Sequence, residues 1–321
     1  MKGSYQISVA NGKVKYDFLI RRNLTIIRGN SATGKTTLVE MIREYYESGE
    51  SSGITLQCSR ICRVLSGRDW KILLDATHES IVFIDEDNDF IFTNEFSEAV
   101  RNSDNYYVIV TRESLPNLPY SVDEIYGIRN SGYYAGLKQV YHEFYHIYGP
   151  FSFSPVFVPE LIIVEDSNSG FEFFGAIGRD RNYSVISAEG KSNIFRKVYE
   201  AEAKNILVIA DGAAFGPEID RLVKLSLQKK TVALFLPESF EWLVLHSGVL
   251  KQGNLQEILE NPEEFIESRD YFSWERFFTY LLTELTKDHY LRYSKRKLNP
   301  AYLNEPIVER ILRQIEKIQL T

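Results

Sequence analysis

Gly29-Asn30-Ser31-Ala32-Thr33-Gly34-Lys35-Thr36 decides the fold of the first half of the chain. The apolar run Leu24-Thr25-Ile26-Ile27 precedes it, and a helical stretch from Lys35 to about Tyr46 follows. Strand, glycine-bearing loop and helix in that order are what a phosphate cradle needs. Glycines let successive N–H groups turn inward, and a helix N-terminus favours negative charge. At this spacing Lys35 is placed to reach the β- and γ-phosphates of a nucleoside triphosphate and the Thr36 hydroxyl to ligate Mg²⁺, with Thr37 beside it in the first turn. The competing explanation, a chance Gly/Ser/Thr-rich loop, does not account for the strand before it and the helix after it.

Working outward, Ser80-Ile81-Val82-Phe83-Ile84-Asp85-Glu86 is an apolar strand that ends in two acids. Asp85 is expected to hold Mg²⁺ through water and Glu86 to polarise the attacking water. Solvation of a strand end would also explain acids here, since Asp87 and Asp89 follow directly. A third run, Tyr106 to Val110, ends in Thr111-Arg112, where a polar residue could sense the γ-phosphate. Further apolar runs at Ile54 to Leu56 and Ile61 to Leu65 alternate with helical patterns at Trp70 to Ala76 and Glu95 to Arg101. Alternation of this kind predicts an α/β fold with a parallel sheet covered by helices. Residues 4 to 20 alternate around Asn11-Gly12, which predicts an opening β-hairpin with positive φ angles at its turn.

An opening hairpin ahead of the phosphate loop and an apolar strand followed directly by Glu resemble the ABC- and SMC-like P-loop ATPases, including those of the overcoming-lysogenisation-defect nucleases. The resemblance spans about residues 1 to 130 and implies ATP as the nucleotide. Leu65-Ser66-Gly67-Arg68 is similar to the start of an ABC signature, which in that family contacts the nucleotide of an opposing subunit and so implies a homo-oligomer or a partner subunit. Arg68 stands where the family has a second Gly, and the residues by themselves read as a strand end followed by a helix cap.

A second series of strand-like runs begins at Leu161 to Val164 and continues at Tyr183 to Ile186, Ile206 to Ile209 and Val232 to Leu236. The first run delivers Glu165 into a small polar loop, and the third delivers Asp211 into Gly212-Ala213-Ala214-Phe215-Gly216. Acids at the ends of neighbouring parallel strands converge on the crevice where α/β sheets bind ligands, and together they could hold one hard divalent cation. Solvated strand-end acids in an ordinary doubly wound domain are the alternative. This stretch resembles the Toprim domain, about residues 158 to 250, which carries a Glu after its first strand and Asp-x-Asp after its third. Glu165 and Asp211 match, and the resemblance implies that they hold Mg²⁺, with Glu165 acting as general acid or base in nucleic-acid cleavage. Ala213 replaces the second Asp, and Glu218, Asp220, Glu238 and Glu241 are the candidates to stand in for it.

The chain of 321 residues, 44% hydrophobic, is long enough for two domains and excludes a disordered protein. The expected division is an ATPase domain at 1–130, an aromatic-rich connector at 131–158, a Toprim-like domain at 159–255 and a helical region at 256–321. In the last, Ser273 is the expected N-cap of a helix over Trp274 to Thr286, and a second amphipathic helix is expected from Ile307 to Gln319. A net charge of −7 gives no global attraction to nucleic acid or anionic lipid, so such a partner would need a local basic patch. Lys287 to Lys297 offers one, with five basic side chains against one acid and Tyr290 and Tyr293 interleaved, although a solvated helix face explains it equally well.

Two cysteines, Cys58 and Cys62, form neither a disulfide framework nor a four-ligand zinc site. His142-Glu143-Phe144-Tyr145-His146 satisfies the zincin pattern, but its Tyr, Phe and Val context favours a strand, where two residues four apart lie about 13 Å from each other and cannot share a metal. Met1-Lys2-Gly3-Ser4-Tyr5-Gln6 lacks the apolar core of a signal peptide, and no window reaches the roughly 18 apolar residues of a membrane helix, which points to a cytoplasmic chain and no membrane partner. The expectation is therefore an ATP- and Mg²⁺-dependent ATPase that gates a Toprim-like domain acting on DNA or RNA. Such pairings resemble antiviral defence proteins of bacteria. The alternatives are an ATPase with an inactive nuclease domain that binds nucleic acid or a protein partner, and a nucleotide-dependent assembly scaffold.

Overall fold

The computed structural model describes residues 1–29, 33–135, 139–149, 157–181, 183–226, 231–315, 318 and 320, with the backbone alone at 133–135. They fall into two compact units, Met1–Gly149 with Asn261–Phe272, and Pro150–Glu260 with Ser273–Thr321.

The first unit contains β1 (Tyr5–Ala10), β2 (Val14–Ile20), β3 (Leu24–Arg28), α1 (Lys35–Ser48), β4 (Thr55–Gln57), β5 (Cys62–Val64), α2 (Trp70–Asp75), β6 (Ile81–Ile84), α3 (Asn94–Arg101), β7 (Tyr106–Val110), β8 (Ile125–Ala135) and β9 (Gln139–His146). Its sheet has nine strands in the order β4-β1-β2-β9-β8-β3-β7-β6-β5. The five strands from β8 to β5 are parallel, while β1 runs antiparallel to β2 and β4, and β8 antiparallel to β9. The sheet is thus mixed rather than purely parallel, because the opening hairpin joins the same sheet as the α/β core. Every residue of β3, β6 and β7 is buried, which accounts for their near-continuous apolar sequences. Leu38, Val39, Met41 and Ile42 of α1 pack into that core.

The hairpin forms where expected, with Tyr5 opposite Ile20 and Ala10 opposite Lys15. Its turn differs in mechanism: Asn11 and Gly12 do not take positive φ, and Asn11 Oδ1 instead accepts the N–H groups of Lys13 and Val14 at 2.8 and 2.9 Å. The segment expected as a connector from 131 to 158 supplies strand β9, inserted between β2 and β8. Aromatic packing holds it there, with the Phe18 and Phe144 rings 4.1 Å apart at their centroids. Residues 150–156, with their Phe/Ser alternation, lie outside the described residues.

The second unit contains β10 (Leu161–Val164), α4 (Ser169–Arg181), β11 (Ser184–Ser187), α5 (Lys191–Glu200), β12 (Asn205–Ile209), α6 (Ile219–Ser226), β13 (Thr231–Phe235), α7 (Phe240–His246), α8 (Leu255–Glu260), α9 (Trp274–Thr286) and α10 (Glu305–Leu312). Its four strands are all parallel in the order β11-β10-β12-β13. The chain first moves from β10 to β11 on one side and then crosses to β12 on the other. The order therefore reverses between β10 and β12, which opens a crevice at their C-terminal ends.

The region expected as one helical tail from 256 divides. Asn261–Phe272 belongs to the first unit, where the Gly3 N–H donates to Glu263 O at 2.7 Å and Asn23 Nδ2 donates to Phe272 O at 2.9 Å. The helix over Trp274–Thr286 is present, but Ser273 makes no side-chain cap bond and its Oγ is buried without a hydrogen-bond partner. The last helix ends at Leu312 rather than near Gln319, which itself lies outside the described residues.

Candidate functional site

In the first unit the Gly29–Thr36 loop leaves the end of β3 and enters α1; Asn30, Ser31 and Ala32 lie outside the described residues. Gly34 has φ +92°, and a Cβ at this position would stand 2.6 Å from the Tyr16 Oη. That hydroxyl donates to Gly34 O at 2.8 Å, so β2 props the start of α1 from beneath. Lys35 is only 4% exposed, and its Nζ donates to Gly29 O at 3.0 Å and to Thr33 Oγ1 at 3.4 Å. Thr36 and Thr37 are exposed.

β7 lies between β3 and β6, so the three strand ends open side by side. At the β6 tip Asp85 is buried, whereas Asp87 and Asp89 are exposed, which separates the candidate metal ligand from acids that merely solvate the turn. Asp85 Oδ1 accepts the Glu86 N–H at 2.8 Å, and Asn88 Nδ2 donates to Asp85 O at 3.0 Å. At the β7 tip Arg112 Nε and Nη2 donate to Glu86 Oε2 and Oε1 at 2.9 and 2.7 Å. Thr111 is turned inward, its N–H on Ile27 O and its hydroxyl on Glu113 O, leaving Arg112 as the outward polar group of that pair. Burial draws the Lys35 ammonium below its ordinary pKa; Glu86 opposes this, Arg112 adds to it and Asp85 opposes it. Four charged groups thus share one field at the mouth of the loop. Thr36 and Asp85 offer hydroxyl and carboxylate oxygens, the hard donors that suit Mg²⁺.

In the second unit Glu165 and Asp211 leave the ends of β10 and β12 and meet at the point where the strand order reverses. The Glu165 N–H donates to Ile209 O at 2.9 Å, and the Asp211 N–H donates to Glu165 Oε2 at 3.0 Å. Gly212 is required here by close approach, since a Cβ would lie 2.4 Å from Leu236 O. A cavity of about 20 Å³ opens among Glu165, Asp166, Asp211, Phe174 and Pro237, room for about one water-sized group. Burial, opposed by the Asp211 N–H, raises the Glu165 carboxyl to about 7, and burial with the charges of Glu275, Glu165 and Glu241 holds Asp211 well above the usual carboxylate range. Asp166 is raised chiefly by burial and accepts the Phe171 N–H at the start of α4.

Of the four acids nominated to replace the missing Asp, Glu241 on α7 acts on Asp211; it is 2% exposed and accepts the Tyr293 hydroxyl at 2.7 Å. Glu275 and Lys295, which pair with each other, carry no sequence motif that marks them. Burial pulls the Lys295 ammonium down, but Glu275 and Glu241 outweigh it and hold it above its ordinary pKa. The basic segment Lys287–Lys297 is therefore not one outward patch: Lys295 and Tyr293 turn toward these acids, and Lys287 pairs with Glu284. Glu165 and Asp211 supply two hard oxygen donors, and Ala213 contributes none. Among the described residues no group of three or more His, Cys, Asp or Glu side chains is arranged to hold a metal ion.

The His142–His146 segment is strand β9, as its composition predicts, and His142 stacks on Tyr16 with ring centroids 4.9 Å apart. Leu65-Ser66-Gly67-Arg68 follows the end of β5 and leads toward α2, a strand followed by a helix. Two roomy cavities share no lining residue with either strand-end site: about 390 Å³ beside Lys71, Glu98 and Arg269, and about 630 Å³ beside His246 and Leu255. No described helix is long and apolar enough to cross a membrane. The chain matches no family model and no curated protein.

Proposed function

We propose that the chain is a Mg²⁺-dependent ATPase whose first unit binds and hydrolyses ATP and governs an act of the second, Toprim-like unit. What supports this is the convergence of Lys35, Asp85, Glu86 and Arg112 at three adjacent strand ends, around a loop whose spacing suits a triphosphate. Backbone N–H groups of the loop and Lys35 grip the β- and γ-phosphates. The Thr36 hydroxyl and the Asp85 carboxylate are the residues that would hold Mg²⁺, which would supply charge neutralisation at the phosphate oxygens. Glu86 orients a water whose oxygen bonds to the γ-phosphorus as the bond to the bridging oxygen breaks; the electron pair leaves on ADP and the water's proton passes to Glu86. Phosphate release from wild type, Lys35→Ala and Glu86→Gln tests this. Turnover that survives Lys35→Ala would remove the proposal.

A second reading, in which the second unit cuts nucleic acid, draws on the contact between Glu165 and Asp211 at the strand-order reversal. DNA and RNA incubated with ATP and Mg²⁺ or Mn²⁺ give its assay. Cleavage abolished by Glu165→Ala supports it. Turnover without any cleavage leaves ATP hydrolysis as the sole chemistry and the second unit as a binding module for nucleic acid or a protein partner, as in an antiviral defence protein that senses rather than cuts.

A further inference from the structure

The side chain assigned to activate water is not free to do so. Both oxygens of Glu86 are taken by the Arg112 guanidinium, in the parallel two-bond geometry that Arg and carboxylate prefer. A general base needs a lone pair aimed at its water, and a carboxylate whose two oxygens each receive an N–H offers a poorer one. The clamp is nonetheless easy to open. Arg112 is 56% exposed and Glu86 24% exposed, so water competes for both partners and the net gain from pairing is small.

Arg112 also sits where a competitor would arrive. β7 carries it beside β3, which carries the loop, and its charge and that of Glu86 both act on Lys35. A γ-phosphate gripped by Lys35 brings more negative charge and more acceptor oxygens than one carboxylate, in a geometry the guanidinium also matches with two bonds.

We propose that Arg112 exchanges partners when ATP binds, leaving Glu86 for the γ-phosphate and so releasing Glu86 as base only when a triphosphate is present. After hydrolysis, ADP has no γ-phosphate and Arg112 returns to Glu86. This rests on the ATPase proposal above. It ties the freeing of Glu86 to the arrival of a γ-phosphate, and it makes Arg112 the group that tells ATP from ADP.

The experiment measures displacement of a fluorescent nucleotide from the full chain by ADP and by a non-hydrolysable ATP analogue. Wild type should prefer the analogue. Arg112→Ala should lose that preference by about tenfold, the scale of one charge-assisted contact, with ADP affinity falling much less than that of the analogue. Arg112→Lys should recover it in part. Glu86→Gln removes the carboxylate charge and should raise analogue affinity several-fold, a gain that Arg112→Ala in the same chain cancels; should Arg112→Ala fold poorly, Arg112→Lys and Glu86→Gln still read the exchange. An undiminished preference in Arg112→Ala, or no gain in Glu86→Gln, overturns the exchange while ATP binding still stands. A wild-type chain that binds neither nucleotide overturns the ATPase proposal and the exchange with it.

Discussion

The two strand-end sites share one sequence signature and have opposite electrostatics. At the tip of β6 the Glu86 carboxylate meets solvent and a guanidinium, and Lys35 and Asp85 lie in the same field. At the tips of β10 and β12 Glu165 and Asp211 touch each other in a half-buried crevice, where Glu275 acts on both, Glu241 acts on Asp211, and Lys191 and Lys295 supply counter-charge to Glu165 and Asp211 respectively. A carboxyl beside a cation and water favours its ionised form, whereas a buried carboxyl among like charges holds its proton. An apolar strand that ends in an acid therefore does not fix what the acid does. The first site sets Lys35, Asp85, Glu86 and Arg112 at adjacent strand ends, and the second sets acids against Lys295 within its own unit.

Exchanging lysine for a neutral residue in each site is the sharpest way to break this comparison. Lys35→Ala is expected to lower phosphate release on the order of 10²-fold or more, the scale seen when a preorganised charge donor is removed, while the thermal midpoint of the chain barely moves. Lys295→Met should do the reverse, leaving ATP turnover in place and destabilising the second unit by about 2 kcal/mol at pH 8, because it strands buried acids without their cation. The loss should shrink toward pH 5, where Glu165 and Asp211, both raised above the ordinary carboxylate range, keep their protons. Urea titrations at the two pH values, run beside a turnover assay, separate the outcomes. Equal effects of both lysines on turnover would refute the contrast.

The acids give a second, smaller test through pH. Glu165 is raised from 4.5 to about 7, so the folded state keeps a proton that the unfolded chain has released over that window. Its contribution is fully present below about pH 4.5 and is lost as pH rises through about 7. Glu165→Gln should reduce that slope, to which Asp166 and Asp211 also contribute, and stabilise the second unit at pH 8 by about 1 to 2 kcal/mol, a figure read from urea midpoints across a pH series. Glu86→Gln should leave the slope intact and cut turnover instead.

Glycines offer the smallest contrast. Gly34→Ala meets the Tyr16 hydroxyl and a left-handed backbone, and Gly212→Ala meets the carbonyl of Leu236. Each is expected to cost about 1 to 3 kcal/mol of stability in its own unit, read as a lowered thermal midpoint. Only Gly34→Ala should weaken nucleotide binding as well.

Local pattern was enough for much of this. The runs that became β3, β6, β7, β10 and β12 announce themselves by apolar continuity between polar loops, and α1 by its start at a glycine and its buried face. Lys35, Asp85, Glu86, Glu165 and Asp211 were legible because each sits at a fixed offset from such a run. The bond between Glu86 and Arg112 was not, since it spans 26 residues and depends on β7 lying beside β6.

What the sequence determined by itself is the set of elements and the acids at their ends, because helix period, strand burial and glycine freedom act over a few neighbouring residues. Only the tertiary structure decided that β9 enters the first sheet, that Asn261–Phe272 returns to the first unit, and that Glu241, Glu275 and Lys295 act on Asp211. Each of these joins segments far apart along the chain, where the deciding term is burial and charge balance among groups that no local pattern relates.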